Sequence, residues 1–233
     1  LPNEIGGDLN LRSLTSAEGL KLPDKIEGDL NLSSLTSAKG LKLPDEIGGD
    51  LDLRSLTNAK GLELPKKIGA LYLTNLTNAE GLELPNEISA LDLRSLTSAE
   101  GLKLPDKIGY DLYLSSLTNA EGLELPNKIR GNLDLRSLTS AEGLKLPDEI
   151  EGTLYLTNLT NAEGLKLPDK IGGTLYLTNL TNAEGLKLPT EMGGNIYLTS
   201  VESLEGLDLS SSLISKIVLS DKIEKQLTNK RTL

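Results

Sequence analysis

The stretch LTSAEGLKLPDKI, Leu14–Ile26, returns in close copies starting at Leu35, Leu56, Leu76, Leu96, Leu117, Leu138, Leu159 and Leu180. Working outward from it, the dipeptide LP opens a unit at residues 1, 22, 43, 64, 84, 104, 125, 146, 167 and 188, and all ten prolines of the chain occupy the second place of these units. The spacing is 21 residues, except that the units from Leu64 and Leu84 have 20. The consensus is LPxxIxGxLxLxxLTxAxGLx. A period of 21 is also three heptads, but a Pro in every unit, with Gly beside it, excludes a continuous helix. The apolar pattern has the period of strands instead, as in Leu9-x-Leu11 and in Leu20-x-Leu22 across the junction of units. The Gly pair in EIGGDL (Glu4–Leu9) supplies a tight corner, and LP stiffens the exit of the second short strand.

A unit this short cannot bury its own apolar face, so it must stack on its neighbours. The expected fold is therefore mainly β: a right-handed parallel β-solenoid of about ten coils of 20–21 residues, spanning residues 1–209. At about 4.8 Å per coil, ten coils make a rod about 48 Å long. Leu1, Ile5, Leu9, Leu11, Leu14, Ala17 and Leu20 and their copies are expected to point inward as columns of like residues. Such columns explain the composition. The chain has 233 residues with no Phe, Trp, Cys or His and only six Tyr, and a large ring in one coil would find no matching space in the next.

The missing Cys and His remove disulfides, thiolate sites and the commonest metal ligand and general base. The net charge of −10 argues against nucleic acid and anionic membrane as partners. No apolar run approaches a membrane span, so no membrane insertion is expected. The chain starts at Leu1 in mid-pattern and without Met, which reads as a fragment, so a missing targeting signal carries no information.

On residues 1–207 the sequence resembles leucine-rich repeats. IGALYL (Ile68–Leu73) and ISALDL (Ile88–Leu93) match the LxxLxL core, and GGDLNLRSLTSAEGL (Gly6–Leu20) is similar to the repeat of receptor L-domain-like proteins. That family places Asn three residues after the last Leu of the strand, where this chain has Leu14, Leu35 and Leu56. Without an Asn ladder there, a straighter stack is expected than the family's curved horseshoe. The resemblance implies recognition of a protein or glycan on the sheet and not catalysis; separately, a cell-surface or secreted place is favoured as an expectation.

Copied letters build a rod and varying letters face solvent. The outward strand positions read Asn10/Arg12, Asn31/Ser33, Asp52/Arg54, Tyr72/Thr74, Asp92/Arg94, Tyr113/Ser115, Asp134/Arg136, Tyr155/Thr157, Tyr176/Thr178 and Tyr197/Thr199. Asp goes with Arg and Tyr goes with Thr or Ser; Tyr never accompanies Arg. One reading is two duplicated repeat flavours, with exposed Asp–Arg pairs worth about 0–1 kcal/mol each. The other is a ligand site. Tyr155, Tyr176 and Tyr197 fall on successive coils beside Thr157, Thr178, Thr199, Asn158 and Asn179, a platform for sugar rings or for a protein. Tyr113, Tyr72, Asp92, Arg94, Asp134 and Arg136 extend that candidate site along the rod. No catalytic residue, metal site or cofactor is expected. The Asp residues sit beside Arg, which suits an ion pair better than an acid catalyst.

Other columns have blander readings. The Thr15, Thr36, Thr57 series resembles the Thr ranks of ice-binding solenoids, but a corner Thr can equally satisfy turn backbone through its hydroxyl. Asp8, Asp29 and Asp50 stack at the Gly corner, yet their later equivalents become Asn132, Thr153, Thr174 and Asn195, so no calcium is expected. The sequons at Asn31, Asn75, Asn158 and Asn179 fall out of the repeat itself. The two short units lose a residue at the Gly corner and should dent that edge at mid-rod, with the Tyr110 ring available to fill the dent. Residues 210–233 break the repeat and carry a net positive charge, and are expected to form a capping segment with a short helix from Ser220 through Asp221, Ile223 and Leu227. The N-terminal end shows no such cap, so the expectation is either that more coils precede Leu1 or that this end pairs with another molecule. Function is thus expected to be non-enzymatic recognition or adhesion on the sheet face. The alternatives are, second, a structural repeat assembling into fibres and, third, ice binding.

Overall fold

The computed structural model describes residues 1–204, 207 and 213–225. It is a parallel β-solenoid of about ten coils. Each coil contributes one short strand to a continuous eleven-stranded sheet, running Leu9–Asn10, Leu30–Asn31, Leu51–Asp52, Ala70–Tyr72, Ala90–Asp92, Leu112–Tyr113, Leu133–Asp134, Leu154–Tyr155, Leu175–Tyr176, Ile196–Leu198 and Ile217–Leu219. Neighbouring strands pair in parallel and in the register of the repeat, Leu154 against Leu175 and Tyr155 against Tyr176. A second wall is built from residues about five places earlier, such as Glu149–Ile150 on Lys170–Ile171.

That second strand is not where period 2 alone puts it. Leu20–Leu22 and its copies form no strand; the second strand is Glu4–Ile5 and its equivalents, just after Pro. The reason lies in donors. The Leu20 N–H is spent on Ala17 O at 3.0 Å, closing a turn with Gly19 at φ 75°, and Pro23 has no N–H to give. A positive φ at the third residue of a four-residue turn is the type II geometry, which favours Gly there. Nine Gly of this column, Gly19 through Gly185, adopt it.

The Gly pair at the other corner has a different cause. None of its members has positive φ. A side chain on Gly173 would lie 2.6 Å from the carbonyl carbon of Gly152 in the preceding coil. Gly is needed there because adjacent coils approach backbone to backbone, not because the chain must turn left-handed.

Inside, Ile108, Leu112, Leu114, Leu117, Ala120 and Leu123 of one coil are buried on their copies before and after. Burying a Leu side chain contributes about 1.5–3 kcal/mol relative to leaving it in water. One expected column is corrected. The Leu of LP is only half-buried in Leu22 through Leu188, while the adjacent Pro is buried in nearly every coil. Residues 20–23 are not a strand, so the alternation that would carry the inward Leu20 column to Leu22 does not hold, and the Pro ring takes the inward place.

The mid-rod break is present. The second wall consists of a three-stranded and a six-stranded sheet, and Lys66–Ile68, between Glu46–Ile47 and Glu87–Ile88, joins neither. The long sheet runs through by lengthening to three residues, pairing Ala70 with Ala90. Tyr110 does not fill the dent: it is 66% exposed. At the other end, Ile217–Leu219 pairs with Ile196–Leu198 and continues the long sheet. Residues 221–225 are helical, with the Ile223 and Glu224 N–H groups donating to Ser220 O, and Ile223 is buried. Leu227 lies outside the described residues. Among the described residues no helix is long and apolar enough to cross a membrane.

Candidate functional site

The outer face of the long sheet carries every candidate residue in two columns. The parallel register puts Asp52 beside Tyr72, Tyr72 beside Asp92, Asp92 beside Tyr113, Tyr113 beside Asp134, and Asp134 beside Tyr155. Tyr155, Tyr176 and Tyr197 follow in sequence.

The Asp–Arg pairs are not the exposed ion pairs expected. Asp92 and Asp134 are 3% and 2% exposed, although they project outward from the sheet. Arg136 forks onto Asp134, donating from Nε to Oδ1 at 2.9 Å and from Nη2 to Oδ2 at 2.6 Å, and its own backbone N–H donates to Oδ1 at 3.1 Å. Arg54 and Arg94 repeat this on Asp52 and Asp92. Each Asp carboxylate is covered by the guanidinium of its own coil; Asp92 and Asp134 lie between two coils that carry Tyr, and Asp52 between Asn31 and Tyr72. That guanidinium in turn lies over the next ring: Arg94 is 5.6 Å from the Tyr113 centroid and Arg136 is 5.3 Å from that of Tyr155. Hydrogen bonding to the carboxylate raises each of these Arg pKa values above its ordinary range.

This geometry accounts for the coupling of the columns. An Asp or Asn accepts the N–H two residues on, as Asn31 does from Ser33 at 3.0 Å, and Arg completes the fork only on Asp. Tyr offers no such acceptor, so nothing beside it would hold an Arg.

The Tyr residues fall into two sets. Tyr72 donates its hydroxyl to Asp50 at 3.3 Å and Tyr113 to Asp111 at 2.9 Å. Burial, reinforced by that acceptor, pushes the Tyr113 hydroxyl up to about 12. Tyr155, Tyr176 and Tyr197 face Thr153, Thr174 and Asn195 at the same corner, and their hydroxyls have no protein partner among the described residues. Their rings stack, with centroids 5.0 and 4.9 Å apart and planes within 5° and 8°. One face of Tyr155 is covered by Arg136, both faces of Tyr176 by rings, and Tyr197 sits between Tyr176 and Val218. The ladder therefore presents edges and hydroxyls outward, not the flat ring faces expected of a sugar platform. Beside it, Asn179 donates to Asn158 at 3.2 Å and Thr199 to the carbonyl of Thr178 at 3.2 Å.

Two columns have roles that sequence reasoning missed. Asp8, Asp29, Asp50 and Asp111 accept the corner N–H of the next coil at 2.7–2.9 Å, and Asn132 and Thr153 do the same at 2.8 and 3.3 Å. The ladder missing after the strand is thus built before it. The signal was available, because outside the two short units, where Ala70 and Ala90 hold the place, the column drifts only among residues with an oxygen on Cγ or Cβ. On the second wall, Glu and Lys alternate along much of the rod. Glu149 binds Lys128 and Lys170, each at 2.8 Å, and these ammonium groups hold its carboxyl down to about 2. The fourth letter of each unit, nearly alternating in sign, already encoded this.

In the Thr15 column, Thr97, Thr139 and Thr181 donate to the carbonyls of Thr77, Thr118 and Thr160 at 3.0–3.3 Å. Among the described residues no three carboxylates cluster as metal ligands would. Compared with known protein families, curated proteins and solved structures, the chain matches none.

Proposed function

We propose that this chain is a non-enzymatic recognition module that takes a protein or glycan ligand on the outer face of its long sheet, centred on Tyr155, Tyr176 and Tyr197. The observation that carries the reading is a patch without charge. A quarter of the chain is Asp, Glu, Lys or Arg. Yet across three successive coils this face offers only Thr153, Tyr155, Thr157, Asn158, Thr174, Tyr176, Thr178, Asn179, Asn195, Tyr197 and Thr199. Tyr with small hydroxyl and amide side chains is the composition of antibody paratopes, where rigid rings give contact area at low entropic cost and the small groups give adaptable hydrogen bonds. Stacking has already fixed these rings, and their hydroxyls are uncommitted, unlike those of Tyr72 and Tyr113. With the ring faces occupied, a ligand meets edges and hydroxyls, which favours a protein over a sugar ring seeking a flat platform. The likeness to leucine-rich repeats, which also bind on a parallel sheet, supports the same face.

The test is selection from a displayed peptide library and a glycan array, with wild type and a variant carrying Tyr155→Ser, Tyr176→Ser and Tyr197→Ser. Ligands that bind wild type and not the folded variant are expected. Ligands indifferent to all three substitutions would overturn the choice of face. Growth of the assembly with concentration in sedimentation would favour a fibre unit instead.

A further inference from the structure

The Arg residues of the sheet face form a lattice of their own. Arg12, Arg54, Arg94 and Arg136 lie on the first, third, fifth and seventh coils, and Ser33, Thr74 and Ser115 hold that place on the coils between. The register of the long sheet is unbroken across all seven, including both short units. Strands stack about 4.8 Å apart, so successive arginines are about 9.6 Å apart along the rod.

Three of the four guanidiniums are fixed. Asp52, Asp92 and Asp134 hold Nε and Nη2 from below, and Tyr113 and Tyr155 support Arg94 and Arg136 from the side. Nη1 of each makes no hydrogen bond among the described residues. The guanidinium side chains are 52–58% exposed, while the carboxylates beneath are 3–11% exposed. A group arriving from solvent therefore meets the cation first. Ordering these side chains has been done in advance, which is the usual route to affinity from modest contacts. The other carboxylates along this face, Asp8, Asp29, Asp50 and Asp111, each accept a backbone N–H from the next coil, and Asp50 and Asp111 accept a Tyr hydroxyl as well.

The spacing selects the conformation of the partner. A polyproline II chain rises about 3.1 Å per residue with three residues per turn, so every third side chain returns to one side after about 9.3 Å. Across the three intervals between four arginines the drift is about 1 Å, within the reach of an Arg side chain. An extended strand returns a side chain to one face every second residue, after about 6.7 Å, which does not fit. An α-helix returns one after seven residues, about 10.5 Å, and drifts by nearly 3 Å over the same length. Polyproline segments also dock on aromatic-lined surfaces, and Tyr72 and Tyr113 lie on the coils between Arg54 and Arg94 and between Arg94 and Arg136.

We propose that the sheet face of the first seven coils binds an acidic polypeptide in polyproline II conformation, laid along the rod, with one carboxylate in every three residues meeting Arg12, Arg54, Arg94 and Arg136 in turn. This rests on the recognition reading above and assigns a partner class to the charged part of the same face.

The experiment uses labelled synthetic peptides and fluorescence anisotropy. The peptide (Glu-Pro-Pro)4 carries one Glu per Arg. Its controls are (Glu-Pro)4, with the same charge at the wrong spacing, (Gln-Pro-Pro)4, without charge, and a helical peptide with Glu every seventh residue. The first is expected to bind at least about tenfold more tightly than each control at low salt, and to weaken as salt rises. Because Arg94→Gln alone strands a buried carboxylate, the variant replaces whole pairs: Asp92→Asn with Arg94→Ser and Asp134→Asn with Arg136→Ser, the pairing the chain itself uses at Asn31 and Ser33. It is expected to lose at least about tenfold in affinity for (Glu-Pro-Pro)4 while keeping its melting temperature within a few degrees. Equal binding of (Glu-Pro)4 or the helical peptide, or no binding of any acidic peptide, overturns the proposal. Ligands selected on the Tyr155 patch would survive that result, so the two readings fail separately.

Discussion

Two stretches of one column solve the same problem by opposite means. On the coils of Asp52, Asp92 and Asp134 the outward residue is a carboxylate roofed by its own Arg. On the coils of Tyr155, Tyr176 and Tyr197 it is a ring covered by its neighbours. The first arrangement is closed within a coil and only lends a guanidinium to the next ring; the second exists only between coils. Both cover the long sheet, but the fork leaves cations on the surface and the ladder leaves neutral hydroxyls. A solenoid can thus change what its surface offers without changing its core, by exchanging a two-residue cassette.

The sharpest way to break the comparison is to open the roof. Arg136→Ala should leave Asp134 buried with only a backbone donor and cost about 3 kcal/mol, the low end for stranding a buried charge, since water can enter where the guanidinium was. Arg12→Ala, beside the exposed Asn10, should change stability by less than about 0.5 kcal/mol. Equal losses in urea denaturation would show that burial of the carboxylate is not what distinguishes the two coils.

The ladder should yield less to a single change. Tyr176→Ser removes both stacked contacts, each worth about 0.5–1.5 kcal/mol, and should cost about 2 kcal/mol. Tyr72→Ser, which stacks on no ring among the described residues, should cost less. A smaller effect still is expected from exchanging the cassette. Asp134→Tyr together with Arg136→Thr removes both charges and places a ring on Tyr155 where the guanidinium lay. Replacing a buried pair by a well-packed apolar group is often neutral or stabilising, so the melting point should stay or rise slightly, by the equivalent of about 1 kcal/mol at most. A loss as large as that of Arg136→Ala would mean that the flavours are not interchangeable.

What was legible in the sequence follows from the same contrast. In a solenoid each inward residue packs against copies of itself, so the period of LTSAEGLKLPDKI states the architecture, and the buried columns of Leu9, Leu11, Leu14 and Ala17 could be read from one unit. Features that depend on how closely coils approach could not. Whether Leu22 or Pro23 faces inward is decided by a stretch that is not a strand, because Leu20 has spent its N–H on Ala17 and Pro23 has none. Whether an outward Asp is buried is decided by the Arg fork and by the rings on either side. Whether Tyr176 offers a face or an edge is decided by Tyr155 and Tyr197. The candidate residues were found, but the chemistry they present was not, because one letter per coil does not say what lies above and below it.

The mildest test sets the buried fork against the exposed ion pairs of the second wall. Glu149 sits between Lys128 and Lys170, and its carboxyl is held at about 2 against an ordinary value of 4.5. A depressed folded value means that the pairing stabilises fully above about 4.5 and is lost as pH falls through about 2. Wild type and Glu149→Gln should therefore differ in melting temperature at neutral pH and converge on acidification across that window. Both ammonium groups are substantially exposed, so raising the salt towards about 1 M, where the Debye length falls to about 3 Å, should narrow the gap even at neutral pH. The cost of Arg136→Ala should resist the same salt, because its carboxylate is shielded from water. If salt erased both differences equally, the Asp134 fork would be a surface ion pair in solution, and the distinction between the two kinds of coil would reduce to the rings alone.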